Sequence, residues 1–163
     1  MYYTSKNYSQ NIHARGFTTL ELITVVIILA VVLIFTIRPF QSFRDKHLID
    51  ATSEQVIASL FEARTNTLAS RHAASFGVHF ETNKVVLFMG DFYNPSGGTN
   101  EYVSFPQHVI ISDISLNDGG QDVVFERLTG EARAYGTITL SLTHNASTTR
   151  TITIESGGTM TTQ

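Results

Sequence analysis

Arg15-Gly16-Phe17-Thr18-Thr19-Leu20-Glu21 opens an almost unbroken apolar run that ends at Ile37. As a helix rising about 1.5 Å per residue, Phe17 to Ile37 covers roughly 30 Å, the thickness of a bilayer's hydrocarbon core. A carboxylate in the first turns of such a helix is costly enough to need a functional reason, and Glu21 is that carboxylate. Upstream, Met1 to Gly16 is polar, rich in Tyr, Asn and Ser, and positively charged only, so it reads as a disposable leader. A secretory signal peptide is the main rival, but it would show a shorter apolar core and a small-x-small site after it. Arg38-Pro39-Phe40 follows instead.

The motif resembles the processing site of type IV pilins and type II secretion pseudopilins: a basic leader ending in Gly, a Phe that becomes the new N-terminus, and Glu fifth from that Phe. Here these are Gly16, Phe17 and Glu21. The resemblance implies cleavage after Gly16 by a prepilin peptidase, methylation of the Phe17 amine, and subunit assembly through Glu21, whose carboxylate would meet a neighbour's N-terminal amine. It also implies a single-pass inner-membrane location with the C-terminal domain outside the cytoplasm, before export into a pilus or pseudopilus. Charge counting alone does not orient the chain, because Lys6 and Arg15 precede the run while Arg38, Arg44 and Lys46 follow it.

The 163 residues leave room for one modest domain beside the apolar segment. There is no cysteine, so no disulfide supports that domain, and the C-terminal disulfide loop of many major pilins is ruled out. This favours a minor subunit. Net charge is −3, and losing Lys6 and Arg15 with the leader leaves −5, so no basic face is implied.

Beyond Pro39, which interrupts or kinks a helix, the apolar spacing resumes. Ile49, Val56, Leu60, Phe61, Ala63 and Leu68 fall near one face, which predicts a helix from about Asp45 to Arg71. From Ala74 the period becomes that of strands. Phe76, Val78 and Phe80 alternate with Gly77 and His79, Thr82-Asn83 turns, and Lys84 to Met89 returns. Further strands are expected at 102–105, 109–114, 123–125, 138–142 and 152–154, with a last edge strand after Gly157-Gly158. The expected fold is therefore α+β and pilin-like: a long N-terminal helix, with a membrane half and an amphipathic half, packed on an antiparallel β-sheet. Its divisions are a leader at 1–16, a transmembrane or filament-core helix at 17–44 and a globular domain at 45–163. Ala63-Arg64 near the helix end, then Val124-Phe125 to Gly130 and Ile152 to Gly158, resemble more narrowly the minor pseudopilin H and FimT-like group.

Other chemistry is weakly signalled. The histidines His13, His47, His72, His79, His108 and His144 show no metal spacing. Asp113, Asp118 and Asp122 flank a Gly-Gly loop but match no EF-hand. The Gly-Gly pairs lack both a dinucleotide fingerprint and a Walker lysine, and no Gly-x-Ser-x-Gly elbow is present. The expectation is no enzyme, no cofactor and no metal. DNA is an unlikely partner, because only Arg150 follows Arg133. Expected partners are the prepilin peptidase, other pilin or pseudopilin subunits, an assembly platform with its ATPase, and the inner membrane. The rival from another class is an uncleaved, single-pass anchored binding or sensor domain outside the cytoplasm.

Overall fold

A computed structural model describes residues 16–163, the side chains of 35–42 excepted, so the expected leader lies outside the described residues apart from Gly16. Helix α1 runs Thr19–Leu68, and a short 3-10 turn follows at Arg71–Ala73. The chain divides into two compact units at Phe40/Gln41, one residue past Pro39, and α1 contributes a segment to each.

In the first unit every residue from Gly16 to Ile34 is exposed. Leu20, Val26, Ile28 and Leu29 point to all sides of the helix, and each is more than half exposed.

The second unit is built on the helical stripe Ile49, Thr52, Ser53, Val56, Leu60, Ala63 and Thr67, all buried. These positions recur every three or four residues, as one face of a helix requires. Phe61 and Leu68 were expected on this face and are exposed instead. At roughly 100° per residue they lie about 100–120° away from the stripe, and Thr67 takes the inward place that Leu68 was expected to fill. Buried hydroxyls bond back to the helix: Thr52 Oγ1 donates to the Leu48 carbonyl and Ser59 Oγ to that of Gln55.

Two four-stranded antiparallel sheets complete the unit. The first contains β1 (Phe76–Glu81), β2 (Lys84–Met89), β3 (Glu101–Ser104) and β5 (Asp122–Val124) in the order β3-β2-β1-β5. The second contains β4 (Val109–Leu116), β6 (Gly136–Leu142), β7 (Asn145–Ile154) and β8 (Met160–Thr162) in the order β4-β6-β7-β8. Val78, Phe80 and Val85 of the first sheet and Ile138, Leu140, Ile152 and Ile154 of the second join the helical stripe in one buried cluster. β7 starts at Asn145, well before the expected Ile152, because the connection to β6 is a tight turn around Thr143-His144 and the Ser/Thr-rich stretch pairs along its length.

The expected architecture, one long helix with a membrane half lying on one antiparallel sheet, is thus corrected. There are two sheets, because β5 returns to the edge of β1 while β4, β6, β7 and β8 pair among themselves. No helix among the described residues is long and apolar enough to cross a membrane. The expected single-pass inner-membrane location is corrected with it.

Thr67 links helix to sheet. Its Oγ1 donates to the Ala63 carbonyl at 2.8 Å and accepts the Phe76 N–H at 2.9 Å, all out of contact with water. Thr67→Val keeps the shape but leaves that N–H unmatched, so a loss of about 1–3 kcal/mol in urea unfolding is expected. An unchanged midpoint would show that the bond contributes nothing.

Candidate functional site

The start of α1 brings Gly16, Phe17 and Glu21 together. Thr18 caps the helix: its Oγ1 accepts the Glu21 N–H at 3.2 Å, and its carbonyl accepts the Leu22 N–H at 3.1 Å. One turn on, Thr24 Oγ1 donates to the Leu20 carbonyl at 2.8 Å. Thr18-Thr19-Leu20-Glu21 is thus a Thr-x-x-Glu capping sequence, with Glu21 at the third helical position. Its carboxylate stands where the helix dipole is positive and favours it.

Gly16, Phe17, Thr18 and Glu21 line one open concavity. Phe17 is 81% exposed, so the peptide bond before it is accessible. Among the described residues no atom lies within 4 Å of where a Cβ on Gly16 would stand. Cleavage at this bond would place a cationic amine at the positive end of the helix dipole, an arrangement a nearby carboxylate relieves.

The other groups weighed in the sequence do not converge. Asp118 Oδ1 accepts the Gly120 N–H, and Asp122 is bonded to His79 Nδ1. Tyr93 stacks on the His79 ring at 3.9 Å; partial burial, then Tyr102 and Glu81, push its phenol above the ordinary value. His144 Nε2 meets Asp45 Oδ2 at 2.9 Å. Among the described residues no group of three or more His, Cys, Asp or Glu is placed to hold a metal ion.

Arg64 has a role that the sequence did not declare. Its Nε donates to the Gly130 carbonyl at 3.0 Å and its Nη2 to that of Gly157 at 3.3 Å. One guanidinium therefore ties α1 to the turn after β5 and to the turn between β7 and β8, which are distant in sequence. Arg133 is bonded to Glu126 and Asp91, and Arg150 to Asp50, so these cations are engaged within the fold.

Comparison with protein-family models, with curated proteins and with solved structures gave no match.

Proposed function

We propose that this chain is a structural subunit of a type II secretion pseudopilus or type IV pilus, cleaved between Gly16 and Phe17 by a prepilin peptidase, methylated at Phe17 and assembled through the segment that follows. One observation carries the reading. Phe17 and the helix start at 19–34 are exposed throughout and apolar round the helix, with a single carboxylate, Glu21, at the capped end.

Such a surface is not stable bare in water, since taking each Val, Leu, Ile or Phe out of water is worth about 1.5–3 kcal/mol. Bundling with equivalent helices of neighbouring subunits buries it. Apolar packing alone is tolerant of register, whereas a buried charge is not, because a slipped arrangement leaves it unmatched. Glu21 facing a neighbour's Phe17 amine supplies that discrimination. An acidic net charge is a poor match for phosphates, so DNA binding is no part of the proposal.

Co-expression with a prepilin peptidase and intact-mass measurement test it. The expected product lacks Met1 to Gly16 and carries one added methyl group. Unchanged mass beside an active peptidase would overturn the reading.

A further inference from the structure

Helix α1 begins at Thr19, so Phe17 and Thr18 separate its first residue from the Gly16–Phe17 bond, and Gly16 to Thr18 lie outside regular structure. Carried one turn further back, the helix would have the Glu21 N–H bond the Phe17 carbonyl and the Leu20 N–H bond the Gly16 carbonyl. Thr18 Oγ1 takes the Glu21 N–H instead, at 3.2 Å, and the Thr18 carbonyl accepts the first helical bond, from the Leu22 N–H. A cap residue holds non-helical backbone angles, so the chain before it is turned out of the helix.

That position matters to a peptidase. The carbonyl of a helical peptide bond is already engaged within the helix, whereas a cleft that reads backbone groups takes an extended segment. Once begun, a helix propagates cheaply, one hydrogen bond for each residue fixed, so a start this near the bond needs a stop. Beyond the cap, Gly16, Phe17, Thr18 and Glu21 line an open concavity and Phe17 is 81% exposed. The bond stands clear where the helix ends.

We infer that Thr18, backed by Thr19, is a positioning element for processing: it holds α1 off the Gly16–Phe17 bond and keeps that bond in the form a peptidase accepts. Thr19 is the reserve, because with Thr18 lost its hydroxyl caps a helix starting one residue later and the bond stays clear. With both lost, the nearest upstream residue suited to capping is Gly16. Alanine, the best helix former, fills the gap, Phe17 becomes the first helical residue and the bond is drawn into the helix start. Retreat to the next downstream hydroxyl, Thr24, would sacrifice more than a turn of helix. The inference rests on the cleavage reading and adds to it a conformational requirement on the substrate.

Cleavage of the full-length chain in detergent by a purified prepilin peptidase tests it, with initial rates followed by intact mass. Thr18→Ala alone should be cleaved as the wild type. Thr18→Ala with Thr19→Ala should lose about fivefold in kcat/KM, the worth of one N-cap in a helix equilibrium. The loss should sit in KM, because only the fraction of chain with an open bond binds. Thr18→Asn with Thr19→Ala restores a cap without a hydroxyl and should return the wild-type rate. A double alanine variant cleaved as fast as wild type, or a loss confined to kcat, would overturn the inference. Failure of asparagine to rescue would also overturn it, by assigning the hydroxyl to direct recognition by the peptidase. A wild-type chain left uncleaved sinks the cleavage reading and the inference with it; a wild-type chain that is cleaved, with all variants alike, sinks the positioning role alone.

Discussion

Glu21→Val is expected to leave cleavage and folding of the 41–163 unit intact while nearly abolishing incorporation into fibres. The Thr18 cap uses the Glu21 backbone N–H and not its carboxylate, so the helix start survives the substitution. What disappears is the counter-charge for a neighbour's N-terminal amine. Leaving one member of a buried ion pair unmatched costs about 3–5 kcal/mol, or roughly two to three and a half decades in each interface's equilibrium constant. The check is quantification of processed subunit in sheared fibres against that left with the cells. Wild-type incorporation of the valine variant would remove the pairing role.

Gly158→Ala is expected to be a severely damaging small substitution in the second unit. Gly158 has φ 76°, and a Cβ there would stand 2.2 Å from the Gly130 carbonyl oxygen and 2.8 Å from Arg64 Nε. The turn, the Gly130 turn and the Arg64 clamp would all have to move, and a left-handed residue with a clash against backbone puts the loss in the upper tail for single substitutions, about 4 kcal/mol. A fall in melting temperature of about 10 °C or more follows for a unit of this size. Gly157→Ala is the internal control. Its added methyl meets nothing within 4 Å, so a change within about 0.5 kcal/mol is expected. Equal effects at both positions, read by thermal unfolding, would contradict the account of the clamp.

The proposed processing and assembly residues come from a short motif, Gly16, Phe17 and Glu21 in fixed spacing, and what the structure adds there is the Thr18 cap on the Glu21 N–H. The strand around Phe76–Phe80 was legible from alternation, and that at Lys84–Met89 from an apolar run returning after the Thr82-Asn83 turn. The division into two sheets was not, since it depends on which edge β5 joins, and that is a long-range choice no local period records. Phe61 and Leu68 misled for a related reason. Hydrophobicity suggested a wide stripe, whereas close packing against β1 selected Thr67, a residue whose hydroxyl has a backbone N–H to satisfy. Likewise, residues 17–37 look of membrane length when counted, whereas no helix among the described residues is long and apolar enough to cross a membrane. Arg64 was visible as a residue, yet its two carbonyl acceptors lie 66 and 93 positions away.

The central claim is that the exposed apolar segment beginning at Phe17 assembles the chain into a fibre. Its most direct test is mass analysis of the chain recovered from fibres sheared off cells that produce it with its peptidase and companion subunits. The account predicts a single species beginning at N-methylated Phe17, present in the sheared fraction and depleted there by Glu21→Val. Recovery of the chain only as the uncleaved form, outside the fibre fraction, would contradict it.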